Sequence, residues 1–154
     1  MSTATLSYGD NQALTITVAS LANAAMRQST EIDNTTNGFL NGTLGVKIKT
    51  GASGTAAAGY VNVWAWANSN GIRDGLAGAS DNAITSNAGL LFVGRMAAGV
   101  DATTYGKTFE LGEVFGGSLP PKWGIVLENQ TGAALDSTGS NHAVGFIPVN
   151  VAVA

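Results

Sequence analysis

His142 is the only histidine in this 154-residue chain, and cysteine is absent. Those two counts narrow the reactive chemistry sharply. A nucleophile needs a neighbouring base, glycosidic hydrolysis needs paired carboxylates, and zinc needs three or four His, Cys or carboxylate ligands. The acidic residues do not fill the gap. Glu110 and Glu113 flank Leu111-Gly112; on a strand, positions three apart point to opposite faces, so they make no acid–base pair. Asp33, Asp74, Asp81 and Asp101 fall in segments read as loops and lack the spacing of an EF-hand. They read as turn formers that bond nearby backbone. Gly116-Gly117-Ser118-Leu119-Pro120 leads into Pro121 and a strand, not into a helix N-terminus that would hold phosphate. The inventory predicts a protein that is not an enzyme and that needs no cofactor and no metal.

Composition points instead to association. Only 11% of residues are charged while 45% are hydrophobic; a typical domain is ~25% charged. A surface made of Ser, Thr, Asn and Ala loses little hydration when covered, which favours assembly. The net charge is −3, and the seven cationic residues are scattered from Arg27 to Lys122. Phosphate binding needs such residues clustered, so nucleic acid is not an expected partner. Met1-Ser2-Thr3-Ala4-Thr5 carries no basic stretch followed by an apolar run, and no signal peptide is expected. No apolar stretch approaches the ~20 residues that span a bilayer, so no membrane partner is expected and synthesis is placed in a cytoplasm.

Positioning would fall to strands. Leu14, Ile16 and Val18 alternate with Thr15 and Thr17, and Leu44, Val46 and Ile48 alternate with Lys47 and Lys49. Trp123, Ile125 and Leu127 alternate with Gly124, Val126 and Glu128, and Ile147, Val149, Val151 and Val153 form one face of a long last strand. Period two marks strands in a half-covered sheet. Eight are expected, at about 13–19, 26–33, 42–49, 60–67, 89–96, 107–115, 122–129 and 142–153. Turn-rich segments such as 33–38 and 50–54 separate them, and Pro120-Pro121 marks the start of the strand at Lys122. One short helix is expected as a connector at Ala19–Arg27, with Ser20 as its N-cap. Residues 68–87 form the longest irregular segment. The expected fold is an all-β, single-domain antiparallel β-sandwich over 13–154, preceded by an N-terminal arm or edge strand at 1–12.

Two regions stand out as contact surfaces. In Tyr60–Ala67, Val61, Val63 and Ala65 make one apolar face, while Tyr60, Asn62, Trp64 and Trp66 put three aromatics on the other. Both faces need cover: either the long loop folds over the aromatic one, or another subunit does. Tyr60, Trp64 and Trp66 are therefore candidates for a subunit interface. Thr5, Leu6 and Tyr8 precede the first expected strand yet bring two apolar side chains, either as a contact arm or as an ordinary edge strand.

Two stretches carry a family resemblance. One runs Arg27-Gln28-Ser29-Thr30-Glu31-Ile32-Asp33-Asn34-Thr35-Thr36-Asn37, with Val46-Lys47-Ile48-Lys49-Thr50-Gly51 and Gly59-Tyr60-Val61-Asn62-Val63-Trp64-Ala65-Trp66 after it. The other is the segment from Glu113 through Gly116-Gly117-Ser118-Leu119-Pro120-Pro121-Lys122-Trp123 to Leu135. With the last strand, they resemble the small capsid decoration (cement) proteins of tailed phages, over about Leu14 to Val153. The resemblance implies a jelly-roll-like fold, a homotrimer, and the major capsid protein as partner at the outer surface of the virion head, after synthesis in the host bacterium. It implies no catalytic residues. On that reading Thr5, Leu6 and Tyr8 would touch the capsid, and Tyr60, Trp64 and Trp66 would meet at the trimer interface. The competing readings are a head-fibre base, or a tail or adsorption protein that grips host polysaccharide, and a free carbohydrate-binding module.

Overall fold

A computed structural model describes residues 4–153 of the chain, and side chains from 5 to 151. Residues 1–3 of the expected N-terminal arm therefore lie outside the described residues. The strands are β1 (Ala4–Tyr8), β2 (Gln12–Ala13), β3 (Met26–Gln28), β4 (Ile32–Asp33), β5 (Asn41–Lys49), β6 (Tyr60–Ser69) and β7 (Ile72–Arg73). They continue with β8 (Asn82–Ile84), β9 (Leu91–Ala97), β10 (Thr104–Glu110), β11 (Lys122–Gln130) and β12 (Ala143–Val153).

The strands make two antiparallel sheets packed as a jelly-roll-like sandwich. The smaller sheet runs β1-β12-β5-β10, with β2 beside β1 along the same edge of β12. The larger runs β7-β6-β11-β3-β8, with β9 also on β6 and β4 also on β11. Leu44, Val46 and Ile48 of β5 and Val144 and Phe146 of β12 face Val61 and Val63 of β6 and Trp123, Ile125 and Leu127 of β11 in one buried core. The Trp123 and Phe146 rings meet edge to face across it, 5.0 Å between centroids. Alternation thus predicts the inward set of β5, β6 and β11 correctly. On β12 the face carrying Ile147, Val149 and Val151 turns outward, because the register with β5 sends Val144, Phe146 and Pro148 in.

Among the described residues twelve strands replace the expected eight, because backbone partners change along the chain. Of the expected 13–19 strand only Ala13, with Gln12 before it, joins a ladder: the Leu14 N–H goes to Val144, Thr15 accepts from Thr30, and the Thr17 N–H goes to the Asp81 carboxylate. The 26–33 strand splits at Ser29, whose hydroxyl accepts the Ile125 N–H, after which Glu31 turns to Ala79. The 107–115 strand stops at Glu110; the N–H groups of Val114 and Phe115 fold back onto Leu111. The connector helix is absent. Ser20 and Ala24 adopt left-handed φ of 57° and 63° in two successive turns, which an α-helix does not accommodate. The long segment 68–87 is partly ordered into β7 and β8, and it lies over the larger sheet.

Candidate interaction surfaces

The outer face of the larger sheet is divided in two. Its lower half holds Trp66, whose cross-strand partner is Gly124. A side chain at Gly124 would occupy the volume of the indole, so glycine there lets the ring lie flat on the sheet. Met26, Ile84, Leu90 and Val126 close around it as a second buried cluster, with Trp64 and Ala77 at its margin. Trp66 is 0% exposed. It offers no surface to a second copy, which corrects its assignment to a trimer interface.

The cover is strapped down by polar groups. Arg27 Nε donates to Asp81 Oδ1 at 2.5 Å, and Thr17 donates to Oδ2 through both N–H and hydroxyl. The buried Gln28 amide donates to the Ser80 carbonyl and accepts from the Gly78 N–H. Arg73 and Lys122 both pair with Glu31, and Asn68 donates to it at 2.7 Å. Asp33 accepts from the N–H and hydroxyl of Thr35, the local turn role expected for it; Asp81 instead bridges residues 64 apart.

The upper half of the same face stays open. Tyr60 and Trp64 are half-buried here, alongside Asn62, Arg95, Glu128 and Gln130. The Arg95 guanidinium stacks over the Tyr60 ring at 3.7 Å and donates through Nε to Asn62 Oδ1. Trp64 meets Phe92 edge to face at 5.0 Å, and Phe92 is 51% exposed. The Glu128 carboxylate accepts from Asn62, Trp64 Nε1 and Gln130 at 2.8–3.0 Å. Burial pushes that carboxyl up, but these hydrogen bonds and the nearby Arg95 charge outweigh it and hold the pKa below the usual glutamate value. The surface thus sets a charged carboxylate with fixed donors among Tyr60, Trp64 and Phe92.

A second surface lies on the opposite side of the molecule. β1 pairs with the far end of β12, Leu6 opposite Val151 and Tyr8 opposite Val149. Leu6 is 66% and Tyr8 72% exposed, and Ile147 and Val151 are exposed on the same face. Thr5 is exposed and lies on the other face of this ribbon. The structure thus places Thr5, Leu6 and Tyr8 on an edge strand, with both apolar side chains turned to solvent. Phe92, Arg95 and Glu128 escaped the sequence reading because their meeting depends on strand register, which alternation leaves undefined.

The remaining groups offer little reactive chemistry. The Lys49 N–H donates to His142 Nδ1 at 3.3 Å, so Nε2 carries the proton and donates to the Asp136 carbonyl at 2.9 Å. Both ring nitrogens are thereby tied to backbone. Glu113 sits in a turn. Among the described residues, no three His, Cys, Asp or Glu side chains converge as metal ligands, and no helix is long and apolar enough to cross a membrane. No protein-family model matches the chain, and no curated protein matches it.

The carboxyls make one prediction about stability. Glu31, Asp33, Asp81, Asp101, Glu128 and Asp136 all have lowered pKa values. Asp136 goes to about 2, through hydrogen bonds from the Asn141 amide and the Thr138 N–H, with Lys49 adding its charge. A carboxyl depressed in the folded state stabilises it above the unfolded pKa and loses that contribution as pH falls through the folded one. The melting temperature is expected to hold steady above about pH 5 and to fall progressively between about pH 4.5 and 2. Circular-dichroism melts check this; a melting temperature that rises on acidification would contradict it.

Proposed function

We propose that this chain is a virion structural protein: a non-enzymatic capsid decoration (cement) protein that binds the outer surface of a tailed-phage head as a homotrimer. The observation carrying the proposal is the apolar face of the terminal ribbon, where Leu6, Tyr8 and Val151 stand exposed on a chain with few charges. Large apolar side chains grouped outside a closed core mark a docking surface. The resemblance of 27–37, 46–51, 59–66 and 113–135 to decoration proteins points to the major capsid protein as the partner. A protein that binds only the assembled lattice stabilises it by its binding free energy. A trimer multiplies weak contacts because three act from one body. Packaged DNA pushes the shell outward, and ligands bridging adjacent capsid subunits resist their separation.

The test mixes purified protein with cognate capsids that lack it, followed by sedimentation and imaging. Wild-type protein is expected to pellet with the shells and to raise their resistance to heat. Leu6→Ser with Tyr8→Ser changes two exposed side chains, so the fold is expected to shift by about 0.5 kcal/mol or less per site, while capsid binding falls at least tenfold. A folded double variant that binds undiminished would remove the ribbon from the contact, and wild-type protein that ignores the capsids would remove the proposal.

A second reading has its own support. Trp64 and Phe92 present ring surface beside Asn62, Arg95, Glu128 and Gln130, and this combination of stacking rings and hydrogen-bonding groups suits a sugar. On that reading the chain belongs to a head-fibre base or a tail or adsorption protein, and glycan-array binding that disappears in Trp64→Ala would favour it.

A further inference from the structure

The outer face of the smaller sheet is uncovered well beyond the ribbon. Register sets nine outward positions of β12, β5 and β10 in three rows: Ala143, Lys47, Gly106; then Gly145, Gly45, Thr108; then Ile147, Thr43, Glu110. Three properties of these rows belong together. Lys47 forms no ion pair among the described residues, and Glu110 bonds only Thr43, at 2.8 Å, so each row at the border carries one uncompensated charge of opposite sign. Ile147, an exposed apolar side chain, stands in the third row, while the matching place in the first is Ala143. The middle row carries only Thr108 and, folded over Gly145, the Asn11 side chain, leaving a depression of about 640 Å³ above the sheet.

We infer that two copies of this chain pack face to face through these rows, about a two-fold axis lying along the middle one. That axis sets the first row of each copy over the third row of the other. Lys47 then lies over the partner's Thr43 and beside the partner's Glu110, and the reciprocal pair forms on the other side. Ile147 meets the partner's Ala143, large against small, and Glu110 meets the partner's Gly106. An isologous contact requires such self-complementarity of one surface, in charge and in size.

The glycines fit this contact. A Cβ at Gly45 or Gly106 would meet nothing within its own chain closer than 3.8 Å, and neither has a positive φ. Neither internal packing nor backbone conformation requires glycine there, although glycine weakens a strand interior. A second backbone approaching over the middle row supplies the requirement at Gly45, and the partner's Glu110 seated over Gly106 supplies it there. The ribbon of Leu6 and Val151 extends past the three rows and stays free, so the pairing is compatible with capsid binding and does not depend on it.

The experiment measures the mass of the purified full-length protein by analytical ultracentrifugation, with no capsid present. Wild-type protein at tens of micromolar is expected to contain an even number of chains. Gly45→Gln adds a side chain into open space in the single chain and is expected to halve that mass. Lys47→Glu is expected to lower it as well, since it sets like charges opposite each other, and so is Glu110→Lys. The combined Lys47→Glu/Glu110→Lys variant is expected to restore it. Circular dichroism confirms that each variant is folded. A wild-type mass of three chains would overturn the inference while leaving the homotrimeric coat-protein proposal standing, and a mass of one chain would overturn the inference and remove the trimer from that proposal. Folded Gly45→Gln with unchanged mass, or a double reversal that fails to recover the wild-type mass, would overturn it too.

Discussion

Replacing Trp66 by alanine is expected to destabilise the folded chain by about 3–5 kcal/mol. The indole is wholly buried, and it is the largest side chain in the cluster of Met26, Ile84, Leu90 and Val126. Removing it empties the floor on which the 70–90 segment rests. Gly124 beneath has no side chain to fill the space, so the cavity cannot collapse easily. Urea denaturation should show the midpoint shift. Hydrogen exchange should show Ala83 and Ile84, which reach the sheet only through the short ladder with β3, losing protection first. If the variant instead keeps its urea midpoint and changes only its oligomeric mass, the ring faces a second copy and not its own loop.

Tyr60 and Trp64 are expected to behave differently, although they lie on the same face of the same strand. Both keep part of their surface outside the chain, so Tyr60→Ala with Trp64→Ala should leave a folded subunit, less destabilised than Trp66→Ala. At most about a third of each side chain is left outside, and covering it is worth roughly 0.5–1 kcal/mol per ring. If these rings form the trimer contact, the double variant should weaken association by roughly 5- to 30-fold. Glu128 keeps its donors Asn62 and Gln130 in that variant, so the carboxylate is not stranded. Light scattering across a dilution series decides the matter. A folded double variant that stays trimeric at the same concentrations as wild type would place the trimer contact elsewhere.

The contrast between Trp64 and Trp66 shows how far local pattern reaches. Alternation over 60–67, 42–49 and 122–129 was enough to recognise strands and to sort their residues onto two faces, because the side-chain period of a strand depends on its own backbone alone. Turn chemistry placed the start of β11 at Lys122 after Pro120-Pro121 for an equally local reason. The scarcity of reactive groups was also plain from the residue counts.

Cover and register lay beyond that reach. Both tryptophans occupy even positions of one strand, and nothing nearby in sequence distinguishes them. Trp66 is enclosed because Arg27, Gln28 and Glu31 reach across some fifty residues to hold residues 78–81 over it. Lys47 and Glu110 border one outward face because β5 lies between β10 and β12 in a particular alignment. Period two is a property of a single strand. Which strand lies alongside, in what alignment, and what folds over the result are set by packing between residues far apart in the chain.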